Sequence, residues 1–152
     1  MHIVLIEPEI PNNTGNISRT CAVTGTSLHL VRPLGFSTDD KHLKRAGLDY
    51  WRYLDLHYYD SFAEVQAKYP EGRFFLTEVR TQKRYTDIEF LPDDFLVFGK
   101  ETAGIPPKIL EQYPDQCIRI PMLPNVRSLN LGTSVAIVLF EALRQQGFDG
   151  MV

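Results

Sequence analysis

Short apolar runs alternate along this chain with segments whose apolar residues recur at helical spacing. HIVLI (2–6) stops at Glu7-Pro8 and predicts a buried parallel strand. In PEIPNNTGNISRTCAVTG, Asn12, Asn13 and Thr14 are candidate caps for a helix whose Ile17, Cys21 and Ala22 share one face, with Gly25 suited to its end. SLHLV (27–31) reads as a second strand, and a short charged helix is expected from Thr38 to about Ala46, stopped by Gly47. Ser61 and Glu64 form a capping box that starts the helix SFAEVQAKY, which ends before Pro70. RFFLTEV and DFLVFG supply two strands, PPKILEQY a short helix with proline in its first turn, and CIRI a last strand. LNLGTSVAIVLFEALRQQG is the longest helix, closing on Gly147.

Strand and helix alternating from end to end predict a single α/β layer architecture over residues 1–152, with ligands bound beyond the C-terminal ends of the strands. The last helix is apolar nearly all round. Val135, Ile137, Val138, Leu139, Phe140 and Leu143 cannot all face one small core, so this helix is expected to form a homodimer contact. An aspartate at Val138 or Leu139 is then expected to break the dimer.

The 152 residues suit one domain, and 43% hydrophobic with 23% charged residues exclude a disordered or fibrous chain. No apolar run approaches the roughly 18 residues that span a bilayer, and MHIVLIEPEIP lacks a basic leader region, so a cytoplasmic address is expected. Cys21 and Cys117 lack any zinc-like or C-x-x-C spacing, and His2, His29, His42 and His57 show no ligand spacing, so no metal is expected. The net charge of −3 rules out overall basicity as an argument for nucleic acid. Local groups remain: Lys41, Lys44, Arg45 and Arg52, then Arg80, Lys83 and Arg84, interleaved with Tyr50, Trp51, Tyr53 and Tyr85. That mixture suits RNA, although solvated charges over core aromatics explain the same residues.

Three polar loops follow strands: 7–14, 99–107 and 121–130. In the first, Arg19 follows a helix N-terminus with free N–H groups, an arrangement that suits an anion or serves only as a cap. FGKETAGIPP is no P-loop, because Gly99-Lys100 is followed by Glu101 and Asp94 holds the first glycine's place. Gly99 and Gly104 suggest close backbone approach or a tight turn. Arg127, with Ser128 or Asn130 as cap, offers a second anion-friendly helix start.

Taken in order, IPNNTGNISRTC, FGKETAGIP and RIPMLPNVRSLNLGTSVAIVLFEALRQQG resemble the three signature segments of the SPOUT methyltransferases, specifically the tRNA 2′-O-ribose branch. EPEIPNNTGN and PLGFSTDDKHLKRAGLDYW extend the resemblance, over essentially the whole chain, to members acting on the wobble nucleotide of leucine tRNAs. The resemblance implies an α/β knot, a parallel sheet flanked by helices with a C-terminal deep trefoil knot, although true knots are otherwise essentially absent from proteins. It also implies a homodimer and S-adenosyl-L-methionine as methyl donor, leaving S-adenosyl-L-homocysteine.

By residue, it gives Asn13 and Arg19 the N-x-x-x-x-x-R element, Glu101 the glutamate of G-x-E and Asn130 the asparagine of S-x-N, as candidate catalytic residues. Leu76, Thr77, Gly99, Glu101, Gly104, Ile120, Ser128 and Leu129 match cofactor-holding positions. Lys100 stands where members often carry proline or arginine, and Gly132 where they often carry serine. A sulfonium methyl donor is already activated, so the protein must chiefly position and deprotonate a ribose hydroxyl. Arginine is normally already protonated, so Arg19 is expected to polarise that hydroxyl or a neighbouring phosphate, and to act as a base only if unusually perturbed. The alternatives are 2′-O-methylation of another tRNA or rRNA nucleotide, and a non-catalytic RNA-binding protein on the same scaffold. In the main reading the partner is the anticodon arm of tRNA, with basic patches of two subunits sharing it.

Overall fold

The computed structural model describes residues 1–37 and 50–152. The helix expected over 38–46, with Lys41, Lys44 and Arg45, lies outside the described residues.

Among the described residues six strands form one sheet: β1 (His2–Ile6), β2 (Ser27–Val31), β3 (Leu56–Tyr59), β4 (Phe74–Thr77), β5 (Phe95–Phe98) and β6 (Cys117–Ile118). Their order is β3-β2-β1-β5-β4-β6, and every pairing is parallel. Register explains the continuous apolar runs. Ile3 pairs with Leu28 and Leu5 with Leu30 and Phe98, aligning one face, while Val4, Ile6, Val31, Leu76 and Val97 line the other. Both faces are covered, so both sets of alternate side chains must be apolar.

Helices α1 (Pro11–Thr24) and α4 (Leu131–Gln145) cover the first face, where Ile17 and Cys21 meet Leu131, Val135, Val138 and Leu139. Helices α2 (Phe62–Lys68) and α3 (Pro107–Leu110) serve the second through Phe62, Val65, Ile109 and Leu110. Ser61 caps α2 by accepting from the Glu64 N–H at 3.3 Å, and Gly25 ends α1 at φ 63°. Strand β3 escaped the periodicity reading because LHYY carries no apolar run; it is an edge strand held by pairing to β2.

The apolar C-terminal helix is satisfied mostly within the chain. Val138 and Leu139 are 0% exposed, so a charge there would attack the protomer's own core and not a subunit contact. Phe140 is 45% exposed and Ile137 only half-buried, which leaves a narrower apolar face than the sequence suggested. Cys21 and Cys117 are free and buried, and burial pushes the Cys21 thiol up to about 12. Among the described residues no helix is long and apolar enough to cross a membrane.

Candidate active site

The chain crosses from β1 through α1 to β2 on one side, whereas β5 has β4 and β6 on its other side, so the sheet has a switch point between β1 and β5. Loops leaving the C-terminal ends of such strands diverge and leave a crevice. A cleft of about 920 Å³ opens beyond the C-terminal ends of β5, β4 and β6, beside the joined loops of β1 and β5. Its walls are Ile10 and Asn13 at the start of α1, residues 77–80 after β4, residues 98–105 after β5, Ile118 to Ile120 with Met122, and residues 127–131 leading into α4.

The loop after β5 is closed by its two glycines. The Gly104 N–H donates to the Lys100 carbonyl at 2.8 Å, and a Cβ added at Gly99 would lie 2.0 Å from the Gly104 carbonyl carbon. Gly104 itself sits at φ 71°, where an L side chain is strained. This tight turn presents backbone to the cleft.

The same loop is stapled to the one after β1. Lys100 Nζ donates to Glu7 Oε2 at 2.8 Å, and the Thr102 hydroxyl and N–H donate to Glu9 Oε2 at 2.7 and 3.1 Å. The Glu101 carboxylate accepts from the Glu9 N–H at 2.8 Å, the Ile10 N–H at 3.1 Å and Asn13 Nδ2 at 2.9 Å. Sequence reasoning placed the cap of α1 on Asn12, Asn13 or Thr14. The helix instead begins at Pro11 with Ile10 as an N-cap lacking a side-chain bond, and Glu101 is the negative charge at its N-terminus. That terminus is therefore taken by the protein's own carboxylate, which corrects the reading of it as an open anion site.

Asn13 is nearly buried and uses both ends of its amide. Its Nδ2 donates to Glu101, and its Oδ1 accepts from Asn130 Nδ2 at 2.9 Å. Asn130 Oδ1 in turn accepts from the Thr133 N–H at 3.2 Å, which makes it the N-cap of α4. Three of the four candidate catalytic residues thus form one chain of hydrogen bonds tying α1, the loop after β5 and α4 together. Such a network fixes geometry; its members' acceptors are occupied.

Arg19, the fourth, stands elsewhere. It is exposed on α1, outside the cleft, with Nη2 donating to the Tyr50 hydroxyl at 3.1 Å. Of the candidate cofactor residues, Thr77, Gly99, Glu101, Gly104, Ile120, Ser128 and Leu129 line the cleft. Leu76 does not: it is fully buried, paired in register with Val97 and Cys117.

The cleft also holds Arg80, which the sequence offers only as part of a basic group, and Arg119, for which it offers no site role. Arg119 belongs to the expected strand CIRI; the ladder with β4 ends at Ile118, and Arg119 continues in an isolated parallel bridge to Arg84, its backbone bonded to Lys83 and Tyr85. Its Nε is buried with no hydrogen-bond partner among the described residues. With Arg127 also lining it, the cleft combines apolar side chains (Phe98, Ile118, Ile120, Leu129) with the glycine-closed turn after β5 and arginine donors.

A family model described as the SpoU rRNA Methylase family matches residues 1–140. The chain is 50% identical over 151 residues to the tRNA (cytidine(34)-2'-O)-methyltransferase of Methylovorus glucosotrophus, covering 99% of this chain and 98% of that one. A solved structure described as giving structural insights into the 2-OH methylation of C/U34 on tRNA superimposes with a TM-score of 0.92 at 44% identity, over 96% of this chain and 95% of that one. The SpoU methyltransferase AviRb from Streptomyces viridochromogenes, in complex with the cofactor AdoMet, gives a TM-score of 0.83 over 96% of this chain and 57% of that one. At 23% identity that last likeness is one of fold.

Proposed function

The chain belongs to the SpoU rRNA methylase family, and from that premise we propose that it methylates the ribose 2′-hydroxyl of the wobble pyrimidine nucleotide, cytidine or modified uridine, in the anticodon of leucine tRNAs. The observation that carries this reading is the cleft beyond the C-terminal ends of β4, β5 and β6, which gathers Thr77, Gly99, Gly104, Ile120, Ser128 and Leu129 from four separate stretches of chain. The names of the relatives support the target nucleotide and tRNA; leucine tRNAs rest on the motif resemblance.

The cleft fits S-adenosyl-L-methionine. Its volume is at the upper end of the usual small-molecule range, its apolar walls suit a nucleoside, and Arg119 Nε, without a partner among the described residues, calls for an acceptor. S-adenosyl-L-methionine, when bound, supplies a methyl group on a positively charged sulfonium and leaves as S-adenosyl-L-homocysteine. The backbone of residues 99–104 and 127–130 would hold it, while Glu101, Asn13 and Asn130 keep those loops in register with α1 and α4. Arg19 engages the RNA, orienting and polarising the target hydroxyl or its neighbouring phosphate.

The protein works as a cytoplasmic homodimer of one-domain chains, each with the C-terminal trefoil knot that the family resemblance implies. Two observations support the dimer: the exposed Phe140 on α4, and the position of Arg19 outside its own protomer's cleft, which a second copy would remedy. The test is transfer of labelled methyl to leucine tRNA lacking wobble ribose methylation, with nucleoside mapping of the product. Wild type yields a 2′-O-methyl wobble pyrimidine, and Arg19→Ala loses at least about 100-fold in rate while cofactor affinity stays within about threefold, since the partner of Arg19 in this reading is the RNA. A label found at another tRNA or rRNA nucleotide would move the target, and cofactor binding without transfer to any RNA would leave a binding protein.

A further inference from the structure

Arg19 projects from the exposed side of α1, yet it is not loose. Its Nη2 donates to the Tyr50 hydroxyl at 3.1 Å, and its guanidinium carbon lies 4.6 Å from the centroid of the Tyr50 ring. A single side chain thus holds the guanidinium by two different interactions, a hydrogen bond and a cation–π contact. Tyr50 is itself anchored. Its carbonyl accepts from the Tyr53 N–H at 2.9 Å, at the start of a single 3-10 turn (Trp51–Tyr53) that packs against α1. Among the described residues no carboxylate lies within ion-pair distance of Arg19, so its charge is oriented without being neutralised.

Resting on the reading that Arg19 engages the RNA, we propose that Tyr50 is its positioning residue: ring and hydroxyl hold the guanidinium in the orientation from which it meets the target ribose or the adjacent phosphate. An exposed arginine otherwise spreads over many rotamers, and a group that must act on one hydroxyl loses rate in proportion to the time spent elsewhere. Tyr50 lies outside the cleft, so its influence runs through Arg19 and not through the cofactor. The ring does most of the holding, because it restrains the guanidinium over a face, whereas the hydroxyl restrains a single nitrogen.

The experiment compares Tyr50→Leu, which removes both contacts, with Tyr50→Phe, which keeps the ring, in single-turnover methyl transfer at saturating tRNA. Cofactor calorimetry, thermal melting and Arg19→Ala run alongside. Tyr50→Leu is expected to lose about tenfold or more in rate at saturating tRNA, with cofactor affinity and melting temperature near wild type. Tyr50→Phe is expected to recover to within about threefold of wild type. The inference is overturned if Tyr50→Leu transfers at the wild-type rate while Arg19→Ala is inactive. It is also overturned if saturating tRNA restores the Tyr50→Leu rate, which would make Tyr50 an RNA contact, or if cofactor affinity and melting temperature fall with the rate, which would make it a structural prop. An active Arg19→Ala instead removes the reading of Arg19 on which the inference stands.

Discussion

Glu101 shows how a residue type can suggest one chemistry while its surroundings assign another. A carboxylate in a cleft invites the role of base, but this one accepts three N–H donors and seals the N-terminus of α1. Glu101→Gln would turn one accepting oxygen into a donor facing a donor, leaving at least one half-buried N–H without its acceptor. A loss of about 1–3 kcal/mol of stability is expected in urea denaturation; a variant as stable as wild type would mean the loops are held by Lys100 and Thr102 alone. Asn13, Glu101 and Asn130 were legible as important residues from their motifs. Their contact with one another was not, since Asn13 lies 88 positions from Glu101 and 117 from Asn130.

At the scale of elements, the parallel strands bring three histidines into a ladder that their separation in sequence hid. His29 and His57 pair in register and stack with ring centroids 5.0 Å apart, while His2 Nδ1 lies 3.1 Å from His29 Nε2. Tyr59, on the same face, reaches His29 Nδ1 at 3.2 Å, with Tyr69, Phe95, Lys68 and the Asp55–His57 pair around them. Burial, with the nearby amino terminus, lowers His2 to about 4, and burial with His2 and His57 lowers His29 to about 3. Unfolded histidine titrates near 6.5, so between that pH and these values the unfolded chain binds protons that the native ladder refuses. Stability is therefore full above about pH 6.5 and is lost as pH falls toward 4 and 3, at up to about 1.4 kcal/mol per pH unit for each group. Urea midpoints at pH 7.5 and 5 should show the fall, and His29→Phe should shrink it; an undiminished slope in that variant would place its origin elsewhere.

For the whole molecule, the fold leaves Val23 on α1 and Phe140 on α4 exposed on helices that pack together. A charge at Phe140 meets water in the monomer and apolar surface in a dimer, so Phe140→Asp is expected to stay folded while shifting the protein to monomers in sedimentation. Val138→Asp, by contrast, should unfold the chain, as its side chain is 0% exposed within the protomer. A fully dimeric Phe140→Asp would move the subunit contact to another face.

The sequence by itself determined the class and most of the described elements, the edge strand β3 excepted: apolar runs wide enough for strands covered on both sides, helices marked by Ser61, Pro107 and Gly25, and a long apolar helix at the end. These follow from local periods, capping and backbone sterics, which depend on neighbours a few residues away. Only the tertiary structure decided which ends meet. The order of strands put the loops after β1 and β5 side by side, and with that gave Glu101 to α1, Asn130 to Asn13 and Arg119 to the cleft. It buried Leu76 and left Arg19 resting on Tyr50. Contacts between residues tens of positions apart are set by how the sheet assembles around its core, and no local pattern carries that information.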